Sequence, residues 1–424
     1  MSDQGDYKRA LDYHEKALEI QQNTLPLNDP DFATTYNNIS TVYDAMGKYS
    51  EALSFCKKAL EIQQNTLPLN YPDLATSYNN IGSVYKHMGK YSKALSFFEK
   101  TLEIFKKTLP SNHPDLATPY NNIGQVSRDT GDYSKALLFY EKTLEIKEKT
   151  LPPNHSDLPT CYNNIGAVYN DMGKYSEALS FYEKALKIRQ KTLSSNHPDL
   201  ATSYNNIGAA HDAMGEYSEA LAFYEKALKI RQKTLASNHP SLATSYNNIG
   251  LVYEHKREYS EALAFYEKAL EIFKKTLPSN HPDLATSYTC HGSIYKHMRK
   301  YSKALSFHEK ALSIYQKTLP SNHPNLAASH DNIGSVYMHM KEYSKALSSH
   351  KNAFEIRQKT LLSSHPSLAT SYNNIATVYC VMKQYADALS CFERALNIFQ
   401  GSLPSDHPNI ITVKKNIEYL KQKP

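Results

Sequence analysis

The chain lacks tryptophan altogether, and 14 glycines in 424 residues are too few for a collagen-like or glycine-rich polymer. Its five cysteines, Cys56, Cys161, Cys290, Cys380 and Cys391, include no C-x-x-C pair. That usage fits a reducing cytoplasm better than a disulfide framework. No apolar run approaches the ~18 residues of a membrane-spanning helix, and the polar start MSDQGDYKRA is not a signal peptide. Charge of one sign is also scarce: 48 basic against 42 acidic residues leave +6, dispersed along the chain, which argues against a nucleic-acid partner. Glycine-rich phosphate loops, G-x-S-x-G and H-E-x-x-H are absent, so the reading is non-catalytic, with no cofactor.

What the sequence has is a period. Tyr7, Tyr49, Tyr91, Tyr133, Tyr175, Tyr217, Tyr259, Tyr301, Tyr343 and Tyr385 recur every 42 residues, and ten periods account for nearly the whole chain. In residues 71–112, Leu74, Tyr78, Ile81, Gly82 and Tyr85 follow helical spacing. Gly89 fits a left-handed helix end, where a residue without Cβ meets no clash. A second helical pattern, Ala94, Leu95, Phe98, Thr101, Leu102 and Phe105, runs on until Pro110, and Pro114 suits the first turn of the next helix. Each period predicts a helical hairpin. One hairpin cannot bury both apolar faces, so neighbours must stack into a solenoid. The Ala-Leu pair of the second helix, from Ala10–Leu11 to Ala388–Leu389, never varies, a sign of close packing.

Tyr78, Ile81–Gly82, Tyr85, Gly89, Tyr91, Ala94 and Phe98 together resemble the tetratricopeptide repeat (TPR), with tyrosine at the usual tryptophan position. The 42-residue period and K-T-L-x-S-N-H-P-D-L-A-T-S-Y-N-N-I-G are similar to the repeats of kinesin light chains. The resemblance implies an all-α, right-handed superhelical solenoid of stacked antiparallel hairpins. On this reading residues 1–28 are a half repeat holding only a second helix, residues 29–406 are nine complete hairpins, and residues 407–424 are a capping helix. Lys414, Glu418 and Lys421 replace core residues in that last helix, as a polar cap requires. The first helix keeps core-type Ala10, Leu11, Tyr13, Ala17 and Leu18 and so looks uncapped, which suggests a fragment of a longer product or self-association. No heptad coiled coil accompanies the repeats, so association with a kinesin heavy chain does not carry over.

The resemblance implies that the first helices line a concave groove. The stripe Thr76, Asn79, Ser83 and Lys86 would face it, and its asparagine recurs as Asn37, Asn79, Asn121, Asn163, Asn205, Asn247 and Asn373, with Thr289 and Asp331 as exceptions. A carboxamide both donates and accepts, so it can hold a peptide backbone without reading side chains. Stacked helices ~8–10 Å apart match about three residues of extended chain at ~3.3 Å each. In kinesin light chains the matching asparagines contact extended cargo peptides. The candidate peptide-binding residues are therefore Asn79, Asn121, Asn163, Asn205 and Asn247, with Lys86, Arg128, Asp171, Asp212, Glu254 and Lys296 as selectivity positions. The competing reading makes each Asn-Asn pair a structural brace between helices. Asp129, Asp171, Asp212 and Glu254 make the middle acidic, while Arg257, Arg299, Lys341 and Lys383 replace the turn glycine further on.

Histidines form two sets. His113, His155, His197, His239, His281, His323, His365 and His407 occur once per repeat and read as helix-start residues. Cys290, His291, His308, His330 and His350 crowd one junction, where hydrogen-bonding replacements for aromatics are the simpler reading and a metal site the sharper one. The expectation is a cytoplasmic scaffold or adaptor for an extended protein segment, with neither nucleic acid nor membrane as partner. Two alternatives stand beside it: the targeting arm of a larger enzyme or signalling protein, and a self-assembling array.

Overall fold

A computed structural model describes residues 2–26, 28–68 and 71–422. Among these residues there are twenty α-helices, one 3-10 turn (Pro114–Leu116) and no strand. The chain forms two compact units, residues 1–152 and 153–424. In the first, the helix Ser2–Thr24 precedes three hairpins, of which Pro72–His87 with Tyr91–Thr108 is typical. In the second, six hairpins run from Leu158–Asp171 with Tyr175–Thr192 to Pro366–Val381 with Tyr385–Ser402, and Pro408–Lys421 follows. None of these helices is long and apolar enough to cross a membrane.

Local chemistry sets the helix ends. All eight loop histidines stand beside a helix start, where Nδ1 accepts the backbone N–H two residues on at 3.0–3.3 Å. Only a ring with an unprotonated Nδ1 can do this. At the other end Gly89 turns left-handed at φ 69°. The second helix closes on a threonine whose hydroxyl donates back to the carbonyl four residues earlier, as from Thr108 to Ile104 at 2.9 Å. Leu109 then runs extended, the conformation favoured before Pro110.

Each hairpin is closed by one contact. A Cβ on Gly82 would lie 2.6 Å from the Phe98 ring, and the same holds at 2.5–3.0 Å for Gly124 on Tyr140, Gly166 on Tyr182, Gly208 on Tyr224, Gly250 on Tyr266, Gly292 on His308 and Gly334 on His350. The first helix is therefore bare where the second puts its largest ring. Where the upper residue is larger, the lower one is smaller: Ser40 meets Cys56, Oγ to Sγ 2.7 Å. Ala376 and Phe392 share a buried cluster in the last hairpin, which accommodates one methyl. The invariant alanines from Ala52 to Ala388 are wholly buried.

Inside the second unit, the loop around His407 returns to the turn at Gly173. The His407 ring lies 3.2 Å from where a Gly173 Cβ would stand. Pro404 and Asp406 on one side, with Lys174 and Tyr175 on the other, line the cleft between them.

The histidines once grouped as a possible metal cluster are dispersed into this packing. His291 stacks on Phe307 at 5.2 Å and faces the Ser287 carbonyl with Nδ1 at 2.9 Å, His308 lies under Gly292, and His350 faces Asp331. Among the described residues no three His, Cys, Asp or Glu side chains are placed to share an ion. His308 and His350 pack within their own hairpins while His291 also meets Tyr266 of the preceding one at 6.0 Å, which corrects the idea of a single crowded junction. Burial pushes His308 down to about 4, helped by Lys296. Burial also lowers His291, His323, His330 and His365, the last to about 4.

Two expectations follow from the packing. Gly250→Ala forces a methyl against the immobile Tyr266 ring and should cost ~1–3 kcal/mol. Gly401→Ala, in a helix with nothing within 4 Å of the new Cβ, should gain ~0.5–1 kcal/mol; urea unfolding of both variants measures the pair. The depressed histidines give stability that is complete above their ordinary value of 6.5 and lost as pH falls toward 4, because the unfolded chain takes up those protons first. His308→Tyr, the residue found at the matching position of four other hairpins, should flatten the fall in melting temperature across that window.

Candidate functional site

In the first unit, Thr76 and Asn79 on one first helix, Phe105 on the following helix and Thr118 and Pro119 on the next first helix line a groove. Asn79 is oriented by its neighbour: Asn122 Nδ2 donates to Asn79 Oδ1 at 2.8 Å. Asn248 makes the same bond to Asn205 in the second unit. The brace uses the carbonyl half of the carboxamide. Among the described residues no protein acceptor takes the Nδ2 of Asn79 or Asn205. The amide donors remain available to whatever enters.

The other asparagines differ. Asn37 is buried and donates to Ser77 Oγ at 2.9 Å. Asn121, by contrast, is half-buried just as Asn79 and Asn205 are. Asn163, Asn247 and Asn373 bury Oδ1 without a partner; for Asn247 the residue 43 positions on is Cys290, where other repeats place the bracing asparagine. Asp331 occupies the eighth hairpin's place in this column and is held by His350 Nδ1 at 2.7 Å, by Arg357, and by Asn374 Nδ2 at 3.3 Å. Burial pushes the Asp331 carboxyl up, but the His350 hydrogen bond and the Arg357 charge overcome it and hold it below the usual range.

A second groove in the residue 153–424 unit is lined by three successive first helices, with Lys296, Asp331, Ser335, Met338, Asn374 and Thr377 among its walls. Lys296 Nζ reaches Ser335 Oγ at 3.4 Å, and burial lowers its pKa against the opposing pull of Glu254. Lys86 and Arg128 occupy matching half-buried positions in the first unit, and Asp171 is half-buried at its helix end in the second.

Two of the expected selectivity carboxylates are turned inward. Asp212 is buried and paired with His255 Nδ1 at 2.9 Å. Glu254, with a side chain 9% exposed, accepts a hydrogen bond from the Tyr266 hydroxyl at 2.8 Å and meets His297 Nε2 at 3.3 Å. Burial raises the Glu254 carboxyl, countered by the Tyr266 hydrogen bond, His255 and Lys296. Asp44 and His87 make the same pair in the first unit at 2.9 Å. These pairs, each one repeat plus one residue apart, tie the last turn of one first helix to the next. They were missed in the sequence, although the signal was there: acid in one column, histidine in the adjacent column one repeat later. Equally unforeseen, Arg189, Arg231 and Arg357 each reach the serine 14 residues on, Ser203, Ser245 and Ser371, at 2.6–2.8 Å.

Residues 2–65, 73–149, 157–233, 213–275, 283–359, 325–401 and 367–417 match the tetratricopeptide repeat family. No curated protein matches the sequence. Among solved structures, the nearly identical TPR-like repeats of a Podosopora anserina kinesin light chain share 27% identity over 49% of this chain and 98% of that one, with a TM-score of 0.44. BtubC (BKLC) from P. vanneervenii shares 24% over 55% of this chain and 91% of its own, at 0.41. A Rap protein complexed with competence and sporulation factor shares 14% over 92% of this chain and 100% of its own, at 0.56. With helix pairs packed in hairpins throughout and the repeat matched almost from end to end, the chain belongs to the tetratricopeptide repeat family, an α-solenoid scaffold suited to protein–protein interaction.

Proposed function

We propose that the chain is a non-catalytic adaptor that holds an extended segment of a partner protein along its first helices, in the manner of kinesin light chain cargo recognition. The observation that carries this reading is the half-used carboxamide. Asn79 and Asn205 spend Oδ1 on the next repeat and keep Nδ2, and Asn79 lines an open groove. A fixed donor facing a groove suits a backbone carbonyl, which every peptide carries. Asn121 adds to the row in the first unit, and Asn163 and Asn247 in the second. Lys86, Arg128, Asp171 and Lys296 are the side chains we assign to selectivity, while Asp212 and Glu254, buried beneath histidines, act by positioning His255 and His297. Within this proposal residues 1–28 remain a half repeat, 29–406 nine hairpins and 407–424 a cap, and the cell compartment is the cytoplasm. Binding per repeat is modest and grows with the number of repeats engaged.

Asn79→Asp with Asn205→Asp keeps the accepting oxygen of the brace and removes the donor. Peptides selected on the intact chain from a random display library should bind this variant about tenfold more weakly, with helicity and melting little changed. Undiminished affinity at equal stability would sink the asparagine row as the binding surface.

A further inference from the structure

The turns inside the hairpins change character along the chain. Gly47, Gly89, Gly131, Gly173 and Gly215 have φ of 69–82°, a region open to glycine at no steric cost. In the next four hairpins Arg257, Arg299, Lys341 and Lys383 adopt φ of 58–63°, which their Cβ atoms disfavour. The turn itself does not require these side chains. The backbone N–H of each closes the helix on the carbonyl three residues back at 2.9–3.1 Å, as Gly89 does on Lys86 at 2.9 Å. Nor does the helix dipole require them, since Gly131 and Gly215 face the same carbonyl ends with Asp132 and Glu216, not a cation, beside them.

All four cations are exposed, and none has an ion pair, hydrogen bond or ring contact among the described residues. The neighbouring carboxylates are engaged elsewhere: Glu258 with Lys256 at 2.8 Å and Glu342 with Lys345 at 3.5 Å. The turns are held in register. Tyr259 stacks on His297 at 5.6 Å, Tyr301 stacks on His339 at 5.5 Å, and Arg357 reaches Ser371 across the following junction. Lys300 stands beside Arg299 in the middle of the row and is exposed as well. Four consecutive turns thus accept an unfavourable backbone conformation while displaying a positive charge that forms no ion pair among the described residues.

We propose that this edge is a docking surface for an acidic segment of a partner protein, separate from the groove and independent of its role. A repeat step of ~8–10 Å matches one three-residue turn of a polyproline II chain at ~3.1 Å per residue, so a carboxylate at every third position stays on one face and meets one cation per turn. A nucleic-acid strand presents charge far more densely, one phosphate per ~3.4 Å of axis, and one cation per repeat leaves most of it unanswered. Anionic lipid favours compact basic clusters of the kind found beside membrane helices, whereas this row is spread over four repeats with Glu258 and Glu342 between its members.

The test uses the full chain and a labelled peptide with glutamate at every third residue, followed by fluorescence anisotropy at low and moderate salt. The intact chain should bind it, more weakly as salt rises. A fourfold Arg257, Arg299, Lys341 and Lys383→Gly variant should bind at least about tenfold more weakly and melt at a higher temperature, since glycine relieves the turn. The matching fourfold change to Gln removes charge but keeps the Cβ, so it should lose binding without gaining stability. No binding by the intact chain, equal binding by either variant, or binding only of single-stranded DNA or phosphatidylserine vesicles through these residues overturns the proposal.

Discussion

A ring lying on bare backbone recurs from hairpin to hairpin, and the rest follows from it. Because Gly82, Gly124, Gly166, Gly208 and Gly250 present no side chain, the facing Phe or Tyr ring fills the space between the two helices of a hairpin. The separation of those helices is then set by one ring thickness, a dimension that hardly yields in a close-packed interior. Repeating the same contact gives hairpins of nearly one shape, and equal shapes stack with one step. That equality is what brings position 79 of one repeat to position 122 of the next, and Asp212 to His255, with hydrogen-bond precision. A groove with regularly placed amides is a by-product of uniform hairpins.

On the proposed reading the same groups serve structure and recognition by dividing their atoms. A carboxamide has two ends, and the repeat spends one of them on its neighbour. This makes the simple opposition between a bracing and a binding asparagine too coarse: Asn79 braces through oxygen and keeps its nitrogen. Charges behave differently, since a carboxylate committed to a histidine is committed whole. Asp212 and Glu254 are drawn under the next repeat's imidazole and hold it in place. Unspent charge collects instead on the turns, where no partner within the fold competes for it.

The hairpins were legible because their signals are local and repeated: 3.6-residue spacing, a glycine at the helix end, a proline after it. The loop histidines were legible as helix starts for the same reason, although the accepting Nδ1 required coordinates. What escaped the sequence lies between repeats. The Asp212–His255 contact joins different columns of successive repeats, so reading each column by itself shows an acidic position and a histidine position and never their bond. The histidines of hairpins seven and eight misled for a related reason. Proximity in the sequence suggested one site, whereas His308 and His350 each take the place of an aromatic beneath a glycine, and His291 packs on Phe307.

The touch between the His407 loop and the Gly173 turn joins segments more than five repeats apart. In a linear array each repeat answers only to its neighbours, and fraying can begin at an end and proceed one unit at a time. A contact of such sequence separation turns the line into a loop. Releasing the last helix then disturbs the first hairpin of the same unit, so the array's end loses its privilege as the place where disorder starts. Long-range closure also raises the mean sequence distance between touching residues, which slows folding relative to a purely nearest-neighbour stack.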